Sequence, residues 1–216
     1  MKKVGLTLGI VLLISVAAAS IAYFTSKETL KNKFKVGSIK TEVIEDFNQN
    51  SELPSNKQVP KVVKIKNTGD NPVLVRVIIN PQWDEEKDEN GKVTKLTTSA
   101  SNQVQLNFSD TWKKYWIKGN DGYYYYNKVL KPAEKDDKGN IIKEADETSP
   151  LLESVSLKDI PNEEKAEYKN RSLTVNVSSE AIQVNDKALE DEWNSNKTMG
   201  DVYSQLQDII KSYNEK

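Results

Sequence analysis

Residues 73–79 read Val-Leu-Val-Arg-Val-Ile-Ile, and the dense turn signal Asn67-Thr68-Gly69-Asp70-Asn71-Pro72 stands directly before them. A short run rich in β-branched side chains, apolar at odd and even positions alike, predicts a central strand buried on both faces.

The surrounding segments also read as strands. Ile39, Thr41 and Val43 alternate with polar residues, and residues 59–66 (Val-Pro-Lys-Val-Val-Lys-Ile-Lys) run up to the turn. Val104, Leu106 and Phe108 alternate cleanly, as do Leu173, Val175 and Val177. Asn90-Gly91 and Asn120-Asp121-Gly122 read as hairpin turns. Short strands with turns at this spacing predict a mainly β fold, a jelly-roll-like antiparallel β-sandwich. Two segments are helical in pattern. Residues 187–193 are one, and Val202, Leu206, Ile209, Ile210 and Tyr213 form an apolar stripe with Asp201 placed to cap it. The second predicts a C-terminal helix packed on the sandwich. Residues 84–95 and 135–147 are charged and predict hairpin tips or irregular loop insertions.

Absences narrow the chemistry. The 216 residues contain no Cys and no His. A thiol nucleophile, a Ser-His-Asp relay, a thiolate zinc site and a His-Glu-x-x-His peptidase helix are therefore excluded, as are disulfides. A formal net charge of −1 provides no basic field for nucleic acid. The acidic groups Asp84-Glu85-Glu86, Asp88-Glu89 and Asp136-Asp137 lack calcium-loop spacing and read as solvated tips. No catalytic residue, metal ligand or cofactor is expected.

The N-terminus speaks to compartment. Met1-Lys2-Lys3 is followed by an uncharged apolar run and then by Ser20-Ile21-Ala22, the layout of a secretory signal over residues 1–22 with cleavage between Ala22 and Tyr23. The alternative is an uncleaved membrane anchor, since the run approaches the roughly 20 residues that span a bilayer. Residues 23–37 form a charged arm ahead of a domain over 38–216. Phe24, Leu30 and Phe34 share one face of an extended arm, with Lys31, Lys33 and Lys35 on the other. Tyr23, Leu30 and Phe34 would also share a helical face.

Several segments, taken in order, resemble the exported biofilm-matrix proteins related to TasA and camelysin, and most of all the BsaA-type pilin branch. They are the junction Ala22-Tyr23-Phe24, Phe34-Lys35-Val36-Gly37-Ser38-Ile39, and Val63-Lys64-Ile65-Lys66-Asn67-Thr68-Gly69 with Val75-Arg76-Val77. Further matches are Trp116, residues 121–127 (Asp-Gly-Tyr-Tyr-Tyr-Tyr-Asn), Leu130-Lys131-Pro132, Leu151-Leu152 and residues 179–184 (Ser-Glu-Ala-Ile-Gln-Val). Ala133 stands where the family usually has Pro-Gly-Glu, followed by the charged insertion 135–147.

The resemblance implies a non-catalytic structural subunit of an extracellular fibre, secreted to the matrix or cell surface of a bacterium. It implies a head-to-tail homopolymer assembled by donor-strand exchange, with minor fibre subunits as further partners. It also implies processing by a SipW-type signal peptidase and membrane contact only before cleavage. Tyr23, Phe24, Leu30 and Phe34 are then the arm residues that contact the next subunit. Such an arm is expected to leave its own sheet incompletely covered.

A second function class rests on the aromatic residues 112–126. Trp112, Trp116, Tyr124 and Tyr126 form a candidate surface patch for a glycan, as in an adhesin or carbohydrate-binding module. The bland alternative is a hairpin whose rings alternate between core and surface, held by cross-strand aromatic pairs.

Overall fold

Val73–Trp83 forms β4 and Leu173–Gln183 forms β14, and the two pair antiparallel from Val73 opposite Gln183 to Trp83 opposite Leu173. The structure, a computed structural model, describes residues 26–29, 40–46, 58–168 and 171–215. The β4–β14 ladder is the spine of a sheet that also holds β1 (Ser26–Thr29), β10 (Tyr124–Tyr126) and β9 (Trp116–Lys118), in the order β1-β14-β4-β10-β9. β7 (Thr98–Ser99) pairs with the far end of β4. A second sheet has the order β2-β3-β13-β8, from Thr41–Asp46, Val59–Asn67, Leu152–Leu157 and Val104–Phe108. Two hairpins project from these sheets, β5 (Glu86–Lys87) with β6 (Val93–Lys95) and β11 (Glu134–Lys135) with β12 (Ile141–Lys143).

The chain crosses between the sheets repeatedly, at β3 to β4, β8 to β9 and β13 to β14. The fold is mainly β and antiparallel, and one apolar core joins the two sheets. Val73, Val75 and Val77 of β4 meet Val63 and Ile65 of β3 and Leu152 and Val155 of β13 in that core. The other face of the first sheet is covered by helix. α1 (Trp112–Tyr115) and α2 (Asn162–Tyr168) lie elsewhere in the chain. The cover comes from α3 (Asp186–Ala188), a π turn over Leu189–Trp193, and α4 (Val202–Asn214). Val202, Leu206 and Ile210, one turn apart on α4, bury against a cluster that includes Leu74, Tyr125, Ile182, Leu189 and Trp193. β4 is thus buried on both faces because it lies between a sheet and a helical layer.

Two expectations need correction. Asp201 flanks α4, but its side chain makes no capping hydrogen bond; Ser204 Oγ donates to its carbonyl instead, at 3.0 Å. Part of the arm stays with its own sheet: Ser26–Thr29 pairs with Ser178–Ala181 of the same chain. The signal residues 1–22 with Ala22, and the arm residues Tyr23, Phe24, Leu30 and Phe34, lie outside the described residues.

Candidate functional site

β14 has two different edges. One is saturated by β4 along its whole length, and the other receives β1 over residues 178–181. Among the described residues, the stretch 173–177 of that second edge carries no strand partner. Side chains alternate across a strand, so β14 presents two sets beneath this edge. Val177 and Ala181 are buried in the inter-sheet core, with Leu173 and Val175 packed against it. Ile182 and Glu180 belong to the face that looks toward the helical layer.

A charge cluster lies on that second face. Arg76, at the centre of β4, is directly opposite Glu180 on β14 and Tyr125 on β10. Its Nε and Nη2 donate to Glu180 Oε2 at 3.0 and 2.7 Å, and its Nη1 donates to the Tyr125 hydroxyl at 3.1 Å. The Tyr125 hydroxyl donates to Asp121 Oδ2 at 2.6 Å, and the Tyr123 hydroxyl donates to Glu180 Oε1 at 3.2 Å. The guanidinium carbon also lies 3.9 Å from the Tyr123 ring centre and 4.9 Å from that of Trp193. Arg76 and Glu180 are each only 7% exposed. Burial of charge at this depth is tolerated only with such pairing.

Burial works against the Arg76 charge, but Tyr125 and Glu180 outweigh it and raise its pKa. Burial raises the Tyr125 phenol, and its hydrogen bond to Asp121 raises it further. Burial and then Glu180 do the same for Tyr123. Among the described residues the cluster therefore sets the Arg76 cation against the Glu180 and Asp121 side chains, with both phenols neutral at physiological pH. It supplies fixed charge and hydrogen bonds.

The aromatic patch is corrected by burial. Trp116, Tyr124 and Tyr126 are 2%, 7% and 5% exposed and belong to the inter-sheet core. Trp116 Nε1 donates to the Ser149 carbonyl at 3.0 Å, and Tyr126 receives the Ser149 amide at 3.3 Å. Trp112 is half-buried, with its ring 5.2 Å from Phe108 and 5.8 Å from Tyr124. The rings alternate, but between two interiors: Tyr125 points at the helical layer, where Trp193 meets it edge-on at 5.6 Å. Three of the four rings, Trp116, Tyr124 and Tyr126, thus have no exposed face to offer a glycan.

The acidic tips are turn-formers. Asp136 Oδ1 accepts the amides of Lys138 and Asn140, and Asp88 Oδ1 accepts those of Asn90 and Lys92. The Asn140 side chain, followed by its amide, holds the Asp136 carboxyl below its ordinary range. Among the described residues no group of three or more acidic side chains is gathered to hold a metal ion. Neither Arg76 nor Glu180 stood out in the sequence as a site residue. The available signal was that each is the one charged residue of its strand, Arg76 within the apolar run 73–79.

No family model, curated protein or solved structure matches this chain.

Proposed function

We propose that this protein is a structural, non-catalytic subunit of an extracellular biofilm-matrix fibre, akin to the TasA- and camelysin-related proteins and their BsaA-type pilin branch. It polymerises by donating its N-terminal arm as a strand to the next subunit. The observation that carries this reading is the pairing of Ser26–Thr29 with Ser178–Ala181 on the outer edge of β14. A strand-accepting edge exists, and the arm of this sequence is complementary to it. Main-chain hydrogen bonds are the same whether the arm comes from the same chain or from a neighbour, so exchange between subunits needs no new chemistry.

The pattern of the arm supports this. An incoming arm that continues in the register of Ser26 opposite Ala181 brings Leu30 opposite Val177 and Phe34 opposite Leu173. Those β14 positions belong to or pack against the inter-sheet core, so the apolar arm residues fall on the apolar side. In the sequence the anchors Phe24 and Leu30 flank the polar Ser26 and Glu28. Each anchor, fully buried, contributes about 1.5–3 kcal/mol. Head-to-tail docking of this kind is heterologous and extends into an open filament. Export through a cleaved signal at Ala22, by a SipW-type peptidase, completes the reading.

The test is electron microscopy of the purified exported protein with and without residues 23–35, with circular dichroism as the check on folding. The full arm is expected to give fibres and the shortened protein folded monomers. Fibres of normal length from folded protein lacking the arm would overturn the proposal. Phe34→Asp in the intact chain is expected to behave like the deletion, because a charge opposes entry into an apolar site.

A further inference from the structure

We propose that the face formed by α1, the β9–β10 hairpin and the loop after it binds an extended phosphodiester polymer without bases, of the poly(glycerol phosphate) kind. Residues 112–131 contain five lysines, Lys113, Lys114, Lys118, Lys128 and Lys131, against a single acid, Asp121. Asp121 is turned inward, where its carboxylate accepts the Tyr125 hydroxyl at 2.6 Å and lies 3.8 Å from Arg76 Nη1. All five lysines are exposed, and among the described residues none of them forms an ion pair. Lysines elsewhere do pair: Lys64 with Glu147, Lys66 with Glu144, Lys95 with Glu86 and Lys143 with Glu134. The net charge of −1 therefore conceals a local excess of positive charge.

Rings, and not carboxylates, hold these ammonium groups in place. Lys114 and Lys128 Nζ lie 5.2 and 4.8 Å from the centre of the same Tyr115 ring, at the end of α1. Lys113 Nζ lies 5.8 Å from the Trp112 ring, and Lys118 Nζ lies 5.7 Å from that of Tyr124, which meets Trp112 edge-on. An aromatic face attracts a cation but leaves its net charge intact, so each ammonium stays available to an anion. Asn127 fixes the loop to α1: its Nδ2 donates to the Lys114 carbonyl at 2.8 Å and its amide to that of Tyr115 at 2.9 Å. Lys128 and Lys131 continue the track into a groove of about 460 Å³ between the loop and α4, walled by Ile209 and Tyr213. Asp208 also lines this groove and Asp110 stands just before α1, but among the described residues neither pairs with a lysine.

The chemistry selects the ligand. Neither arginine of the chain belongs to this face: Arg76 is buried, and Arg171 is bonded to backbone carbonyls. Lysine acts as a point charge that suits phosphate in any orientation, whereas the arginine fork is the better reader of planar carboxylates. Trp116, Tyr124 and Tyr126 are buried, and lysines sit over Trp112 and Tyr115, so no free row of rings is left for bases to stack on. Separated charges without a stacking platform fit a polymer whose recurring feature is phosphate alone.

The test is isothermal titration of the purified exported protein at several salt concentrations. The probes are synthetic poly(glycerol phosphate) and single-stranded DNA with the same number of phosphates. Lys114→Gln/Lys128→Gln removes two charges from the track, and Lys64→Gln/Lys66→Gln removes two that already face glutamates. The first pair is expected to weaken binding of poly(glycerol phosphate) about tenfold and to make its salt dependence shallower by about 1–2 in log–log slope. The second pair should change affinity by no more than about twofold. Lys114→Arg/Lys128→Arg should keep binding, since the charge is kept, and circular dichroism checks that every variant is folded. Absence of binding by the unaltered protein at about 0.1 M salt overturns the proposal. So does an equal loss in both glutamine pairs, no loss in the first, or DNA bound as tightly as the base-free polymer. Fibre formation plays no part in these measurements, so failure of the arm-donation reading leaves this site standing.

Discussion

Arg76 and Glu180 stand directly opposite each other on β4 and β14, and one carboxylate oxygen of Glu180 receives both Nε, at 3.0 Å, and Nη2, at 2.7 Å. The pair lies in the middle of the sheet, under the Trp193 ring. It ties the strand that accepts the arm to the strand at the centre of the fold.

Glu180→Ala is expected to destabilise the protein by about 3–5 kcal/mol, because it leaves a buried guanidinium without its main partner. Asp191→Ala removes an ion pair of similar length, Lys187 to Asp191 at 2.9 Å, yet that pair is exposed and one helical turn apart. Its loss should cost no more than about 0.5 kcal/mol. Urea midpoints of the two variants give the comparison.

Alkaline pH should expose the role of Tyr125. Burial, then the bond to Asp121, raises its folded-state pKa above the ordinary phenol value of about 10. The sign follows from linkage: the stabilisation is complete below about pH 10 and is lost as pH rises toward the folded-state pKa, because only the unfolded chain releases the proton. The urea midpoint is expected to fall above about pH 10, with delayed growth of tyrosinate absorbance, and Tyr125→Phe should flatten that slope. Tyr124, raised by burial, adds to the same trend. A slope unchanged in Tyr125→Phe would contradict this account.

Gly119 holds the turn that carries Asp121. A Cβ added there meets Asp121 Oδ1 at 2.5 Å and the Tyr125 ring at 2.8 Å. Gly119→Ala therefore pushes apart the two groups that share the 2.6 Å hydrogen bond. A loss of about 1–3 kcal/mol is expected, in line with other overpacked sites. Thermal unfolding of this variant and of the double variant Gly119→Ala/Tyr125→Phe should show non-additive effects, since both act on one network.

Asn67 fastens the start of the β3–β4 turn. It is fully buried, its Nδ2 donates to the Asn71 and Leu130 carbonyls at 2.8 and 2.9 Å, and its Oδ1 accepts the Gly69 amide at 2.9 Å. Asn67→Ala is expected to cost about 2–3 kcal/mol, at roughly 1 kcal/mol per bond. Asn67→Asp should be no better, because a carboxylate cannot supply the two donors. The thermal midpoints of the two variants test this.

The strands with unbroken patterns were legible in the sequence. β3, β4, β8 and β14 all lie where alternation or an apolar run placed them, and the turns at Gly91 and Gly122 adopt the positive φ that such sites favour, at 77° and 86°. β13 was not legible, although it lies between β3 and β8. A register shift between Leu152 and Ser154 breaks the period of two on which the reading depends. α2 escaped for a different reason. Its residues are mostly charged, and Tyr168 docks by stacking on Trp83 at 4.8 Å, a contact that no local pattern reveals.

For this protein, the sequence by itself determined what is local: where strands run and where they turn. Spacing, branching and turn chemistry act over a few residues, so they can be read along the chain. Tertiary structure alone decided which sheet edge meets the arm, and that Tyr125 faces a second interior and not solvent. It also decided that Arg76 and Glu180, 104 positions apart, form one buried pair. Such facts depend on which surfaces are covered by distant segments, because burial and desolvation belong to the packed assembly and not to any stretch of it.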